Sequence, residues 1–188
     1  MAPSTALTAE QAHARLHELT VIDVRTPGEY ASGHLPGAHN IPLDHLDAAL
    51  PALKTAADRG DLLIMCASGA RSAQACERLA DHGITTATLT GGTAAWTRLG
   101  HDTHRSEGTR TPWAMDRQVR LAAGTLVLTG LLAGQRWNAA RWLSAGVAGG
   151  LVFSALTDTC GMARILAAFP HNQPRTADLD ATLAILTA

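Results

Sequence analysis

The sequence predicts an α/β domain, with a mainly parallel sheet flanked by helices, followed by an α-helical transmembrane hairpin. Three observations carry this prediction. Short β-branched runs alternate with helix-like segments through the first hundred residues, the pattern of βα units built on a parallel sheet. Residues 103–114 are polar and contain Gly108 and Pro112, which reads as a linker. Beyond it, Leu121–Gln135 and Trp142–Thr157 contain no charged residue. The organisation expected is therefore a first domain over 1–102, the linker over 103–114, a two-helix membrane unit over 115–174 and a short tail over 175–188.

Local signals place the elements of the first domain in order. Thr8 with Gln11 forms a capping box that opens a helix running to about Leu19. Thr20–Val24 is a β-branched strand. Thr26, Pro27 and Glu29 supply an N-cap, a first-turn proline and a third-position acid. The helix they open is short, because Gly33 and Pro36-Gly37 end it. Ala38–Ile41 can be a strand and Leu43–Leu53 a helix. Leu62–Met65 is a buried-strand run that ends at Cys66. Ser72–Asp81 is helical, Thr85–Leu89 a strand, and Thr93–Leu99 a helix closed by Gly100.

Composition excludes several function classes. Net charge is −1, with 15 basic and 16 acidic residues, and no basic stripe faces a phosphate backbone, so nucleic acid is not an expected partner. The 3 cysteines form neither a disulfide framework nor a zinc-type pair. Free thiols suit a reducing compartment. Met1–Thr20 has no apolar core, so no secretory signal is expected. The 9 histidines show no metal-site spacing: His13/His17 and His101/His104 read as solvated. Neither a metal nor a cofactor is implied.

The chemistry concentrates at Met65-Cys66-Ala67-Ser68-Gly69-Ala70-Arg71-Ser72. A strand delivers the cysteine, small residues follow, and a helix begins. Strand ends of this kind are where sites form in parallel sheets. Small residues let successive N–H groups curl toward one point, and the helix N-terminus adds positive potential. Such a nest stabilises a thiolate, the nucleophilic form of cysteine. Arg71 offers a planar fork for an incoming oxyanion. The spacing is Cys-X4-Arg, one residue shorter than the Cys-X5-Arg loop that holds a tetrahedral phosphate. The shorter ring suits a sulfur atom carried on Cys66. Cys76 lies mid-helix and reads as core.

Over roughly residues 5–102 the chain resembles the rhodanese family. Val21–Arg25 is similar to the family's "(V/I)DVR" strand end, and Glu29–Pro42 to its "E(Y/F)xxGHIPGAxNIP" signature. Cys66–Arg71 is similar to the active loop "CxxGxR", and Leu89–Trp96 to the closing "LxGGxxAW". The resemblance implies a rhodanese fold and transfer of sulfane sulfur from a donor such as thiosulfate to a thiol acceptor, through a Cys66 persulfide. It implies that N–H groups from Ala67, Ser68, Gly69, Ala70 and Arg71 hold the persulfide and that Arg71 orients the donor. Asp23 and Arg25 would hold the site, and His34 would fix the Gly33–Pro36 turn.

The membrane reading rests on flanking features as well as on the two runs. Trp113, Trp137 and Trp142 sit where interface anchors would. Arg117, Arg120, Arg136 and Arg141 can snorkel. Gly130/Gly134 and Gly146/Gly150 allow close helix approach and offer a homodimer surface. Arginines concentrate before the first run (Arg105, Arg110, Arg117, Arg120) and after the second (Arg164, Arg175), so both ends face the cytoplasm. Residues 115–174 resemble the two-helix membrane domain of some bacterial inner-membrane rhodaneses, with Pro170-His171-Asn172 where that domain has Pro-Trp-Asn. Asp158 and Cys160, near the end of the second run, are candidates for a polar or thiol station in the membrane; the alternative is wetting by headgroup water.

Other readings share the same cysteine. An exposed low-pKa thiolate also suits a redox or nitrosation sensor. Loading of sulfur cargo for a transport module is a further one. A phosphatase or arsenate reductase is disfavoured by the short loop.

Overall fold

The computed structural model describes residues 5–105, 115–157, 160–169, 172 and 176–188. Asp158, Trp113, Arg110, Arg175, Pro170-His171 and most of the 103–114 linker lie outside them. The described elements form two compact units.

The first unit is built on a five-stranded parallel sheet of order β1-β5-β4-β2-β3, comprising β1 (Thr5–Leu7), β2 (Leu19–Asp23), β3 (His39–Asn40), β4 (Asp61–Met65) and β5 (Ala87–Leu89). Its helices are α1 (Ala9–Ala14), α2 (Pro27–Ser32), α3 (Leu46–Arg59), α4 (Ala70–Asp81) and α5 (Gly92–Arg98). Central β4 is buried on both faces, as the unbroken apolar run Leu62–Met65 requires. Ile22, Leu53, Ile64 and Leu79 pack on one face, and Val21, Leu63, Met65 and Trp96 on the other.

Both capping boxes form as the sequence predicts, Thr8 with Gln11 and Thr26 with Glu29. The first helix is shorter than expected. Leu19 is claimed by the sheet, where it pairs with Asp61. Arg15 bridges Glu18 and Asp61 at 3.0 and 2.8 Å across the connection. The third helix begins with a 3-10 turn at Leu43–His45 and runs on to Arg59, beyond the Leu53 expected.

The tail differs from its sequence reading. Thr176–Thr187 forms helix α9, which belongs to the first unit and packs on α3. Leu179, Leu183 and Leu186 share one face at helical spacing. Leu186 is 3% exposed within the core cluster, with Leu179 and Leu183 packed against it. Arg59 donates to the Leu186 carbonyl, which the end of a helix leaves without an intrahelical partner.

The second unit contains α6 (Met115–Ala133), α7 (Arg141–Thr157) and α8 (Gly161–Ala167). Ser144 Oγ donates to the Val127 carbonyl at 2.9 Å, and Arg141 Nε to Gly134 O at 3.2 Å. As α7 advances its partners on α6 recede, so the pair is an antiparallel hairpin. Gly130 and Gly134 are the contact itself: a Cβ on Gly134 would meet Arg141 Cγ at 2.5 Å, and one on Gly130 the Ala140 carbonyl at 3.0 Å. This pair is therefore taken up inside the hairpin. Gly146 and Gly150 have nothing within 4 Å of a Cβ. Large apolar side chains point outward, among them Leu128 (62% exposed) and Leu156 (81%). Asn138–Thr157 is long and apolar enough to cross a membrane, with 6% of it buried. An apolar surface of this extent marks contact with lipid or a partner.

Candidate active site

Cys66 follows the last residue of β4, between the carboxyl ends of β2 and β5, and is 1% exposed. The loop turns at Gly69, whose φ of +109° is the left-handed region that favours glycine. This turn aims the Gly69 N–H at Cys66 Sγ, 3.1 Å away. Ser72 Oγ stands 3.7 Å from the same sulfur. The Ser72 hydroxyl is held by the Gly69 carbonyl at 2.9 Å and Thr88 Oγ1 at 2.8 Å. Ala67, Ser68 and Ala70 complete the curl, and Ala70 begins α4.

The start of α5 supports the loop from beneath. Thr93 donates to the Cys66 carbonyl through its backbone N–H (2.9 Å) and its hydroxyl (3.1 Å), and the Ala94 N–H donates to Ala67 O at 3.1 Å. These bonds occupy the carbonyls of Cys66 and Ala67, while the Gly69 N–H is directed at the sulfur. Gly91 and Gly92 both have positive φ. Ser72, Gly92 and Thr93 were not among the residues expected at the site. The closing "LxGGxxAW" stretch was the signal that could have found the last two.

Arg71 is anchored by a carboxylate. Its Nη1 and Nη2 donate to Glu29 at 2.8 and 2.7 Å, so its fork is already on a carboxylate. Glu29 Oε2 also accepts from Thr26 N at 3.1 Å and Thr26 Oγ1 at 2.9 Å. Burial pushes the Glu29 carboxyl upward, but the Arg71 fork and Thr26 outweigh it and hold it below the ordinary carboxylate range. Burial likewise opposes the Arg71 charge, and the hydrogen bonds and charge of Glu29 outweigh it and hold the guanidinium above its ordinary value.

Asp23 and Arg25 form a buried pair, with Arg25 Nε 2.9 Å from each carboxylate oxygen and Nη2 at 2.6 Å. Arg25 reaches on to the Gly33 carbonyl at 2.8 Å. Asn40 Nδ2 donates to the carbonyls of Asp23 and Arg25, both at 2.9 Å. The pair thus ties the β2 end to the α2–β3 loop. His34 Nδ1 lies 2.9 Å from Tyr30 O, its ring stacks on Tyr30 at 3.8 Å, and its backbone bridges His104. Burial holds the imidazole below its usual range. Its partners fix the turn and the chain's exit from the domain. His13 and His101, read as solvated, stack on one another at 4.2 Å beside Trp96.

Cys76 lies in the core, where burial pushes its thiol up. Cys160 precedes α8 and lines an apolar cavity of about 550 Å³ with Trp142, Gly146, Phe153 and Met162.

Residues 8–99 match the rhodanese-like domain, and residues 114–175 match the transmembrane domain of the YgaP-like inner membrane proteins. A protein of Synechocystis described as uncharacterized, slr1261, is 33% identical over 175 residues, covering 92% of this chain and 93% of its own. A sulfurtransferase of Allochromatium vinosum is 38% identical over 88 residues, 46% of this chain and 79% of that one. The crystal structure of a rhodanese-related protein from Thermoplasma volcanium superposes with a TM-score of 0.51 at 27% identity, covering 54% of this chain and 99% of that one. The chain belongs to the sulfurtransferase-related rhodanese family, in the form that joins a rhodanese-like domain to a C-terminal inner-membrane domain.

Proposed function

We propose that the chain is a membrane-anchored sulfurtransferase that carries sulfane sulfur as a persulfide on Cys66. One observation supports it above the others: Cys66 Sγ sits in a small-residue loop at the carboxyl end of the central strand and accepts the Gly69 N–H at 3.1 Å. The thiolate attacks the outer sulfur of a donor, and the donor's remainder leaves. The terminal sulfur of Cys66–S–S⁻ then lies among loop N–H groups fixed before the reaction. A thiol acceptor takes it and restores the thiolate. Thiosulfate is the simplest donor and cyanide the simplest acceptor. Thiocyanate from the parent and none from Cys66→Ser is the expected result; equal release from both would overturn the reading.

In the same proposal the second unit crosses the inner membrane twice with the sulfurtransferase domain in the cytoplasm. The packing of α9 on α3 supports this. The chain after the hairpin returns to the first unit, which favours an even number of crossings. Helix α7 lies within the stretch Asn138–Thr157 that is long and apolar enough to cross, and the uncharged part of α6 after Arg120 is shorter than the ~30 Å hydrocarbon core, so its arginines would have to snorkel to the interface. Helix α8, at 7 residues, is too short to add a crossing. With Gly130/Gly134 inside the hairpin, a homodimer would use the open Gly146/Gly150 face of α7.

A further inference from the structure

Thr88 lies on β5, outside the Cys66–Arg71 loop, yet it reaches the sulfur through one intermediary, Ser72. Ser72 is buried, at 0% exposure, and has a single hydroxyl proton for three neighbours. It donates that proton to the Gly69 carbonyl at 2.9 Å. Its oxygen accepts from the Cys66 thiol at 3.7 Å. The third neighbour is Thr88 Oγ1 at 2.8 Å. With the Ser72 proton already placed, the donor of that contact is Thr88. The Gly69 carbonyl also accepts the Ala73 N–H at 3.0 Å, so it keeps a partner when the Ser72 proton turns away.

Ionisation of Cys66 changes what its sulfur needs. The thiol donates, whereas the thiolate only accepts. The Gly69 N–H is one donor to it, at 3.1 Å. The Ser72 hydroxyl becomes a second by rotating from the Gly69 carbonyl to Sγ. Thr88 donates to Ser72 Oγ in either position, holds that oxygen in place and strengthens the Ser72 O–H as a donor. The charged groups at these strand ends form two closed pairs, Arg71 of α4 with Glu29 of α2, and Arg25 with Asp23 at the β2 end. Cys76, one turn beyond Ser72 on α4, is a thiol that burial pushes up, so it adds no charge. Among the described residues, the hydroxyl pair is the donor that can adjust to the sulfur.

Resting on the sulfurtransferase reading, we propose that Thr88 is a positioning residue that acts through Ser72 to stabilise the Cys66 thiolate, the form that attacks the donor. The pair works on the resting enzyme. Once sulfur is carried, Sγ is a neutral bridging sulfur, the charge lies on the outer atom, and the Ser72 proton returns to the Gly69 carbonyl. The substitution Thr88→Val removes the hydroxyl and keeps a β-branched side chain on β5.

The test uses the full chain in detergent and the ultraviolet absorbance of the Cys66 thiolate, taken as the difference from the matching chain with Cys66→Ser and followed against pH. Thr88→Val moves the midpoint up by about half to one pH unit, a roughly three- to tenfold loss of thiolate below the midpoint, the scale of one hydrogen bond. The kcat/KM for thiocyanate formation falls by the same factor there and recovers above the midpoint. Thr88→Ser, which keeps the hydroxyl, restores the midpoint of the parent. In a Ser72→Ala background Thr88→Val adds no further shift, because Thr88 acts through Ser72. The proposal is overturned by an unmoved midpoint in Thr88→Val, by a full shift in the Ser72→Ala background, or by a Thr88→Ser chain that shifts as far as Thr88→Val. A kcat/KM that stays depressed above the midpoint marks general damage to the site and overturns it too. Thr88→Ala removes the same hydroxyl with less bulk and decides the matter if Thr88→Val does not fold. A parent that forms no thiocyanate removes the sulfurtransferase reading, while the absorbance midpoint still decides whether Thr88 supports the thiolate.

Discussion

Gly92 lies against the backbone of Cys66 with no space for a side chain between them. A Cβ on Gly92 would collide with the Cys66 carbonyl oxygen and approach the Ala67 carbonyl carbon and oxygen at 2.6 and 2.7 Å. The contact is backbone on backbone, so no flexible side chain can yield. It lets the N-terminus of α5 press against the active loop and hold the carbonyls of Cys66 and Ala67.

Gly92→Ala is therefore expected to distort the loop. The clash and the φ of +57° together cost about 3 kcal/mol. Thermal denaturation should show a lowered midpoint, and sulfur transfer should fall by more than tenfold even in the fraction that stays folded. A variant with parental activity would mean that the approach of α5 is not what shapes the loop.

Acid should weaken the first unit in two stages. Burial holds His34 and His39 below the ordinary histidine value of 6.5, so the unfolded chain takes up these protons first. Their contribution is complete above 6.5 and is lost as pH falls through the lower folded values. Glu29 is held below the ordinary 4.5. Its contribution is complete above 4.5 and is lost as pH falls through its folded value. Thermal midpoints followed from neutral to acid pH check this: His34→Gln should flatten the upper stage and Glu29→Gln the lower.

Helix α9 should contribute measurably to the unit it packs on. Leu186, 3% exposed in the core cluster, is expected to cost about 2–3 kcal/mol when replaced by alanine. The reading is the midpoint of unfolding of the full chain. An unchanged midpoint would show that α9 does not hold to α3 in solution.

The two glycine pairs of the membrane unit should respond oppositely. Gly130→Leu forces a side chain into Ser144 and the Ala140 carbonyl and should lower the hairpin's resistance to SDS by about 1–3 kcal/mol. Gly146→Leu enters open space and should leave that resistance intact. Equal effects would contradict the hairpin contact described above.

Much of this was legible in the sequence because it is local. The capping boxes Thr8/Gln11 and Thr26/Glu29, the apolar run Leu62–Met65 and the small-residue loop after Cys66 each specify their structure within a few residues. What escaped depends on distant partners. Strand β1 has 3 residues, too few for a periodic signal, and exists through its pairing with β5. The stripe Leu179, Leu183, Leu186 was readable, but its target on α3 was not. The partner of Arg71 is hidden for the same reason: Glu29 lies 42 positions earlier. Gly130/Gly134 and Gly146/Gly150 look alike in sequence, and only the hairpin's register separates the used pair from the open one.

The most direct test of the account is the mass of the intact chain after incubation with a sulfane-sulfur donor, parent beside Cys66→Ser. The account predicts one added sulfur atom on the parent, removed by cyanide or by a thiol, and none on Cys66→Ser, with Cys76 and Cys160 present in both. A parent that stays unmodified while folded, or a Cys66→Ser chain that gains the same sulfur, would contradict the claim that Cys66 is the carrier.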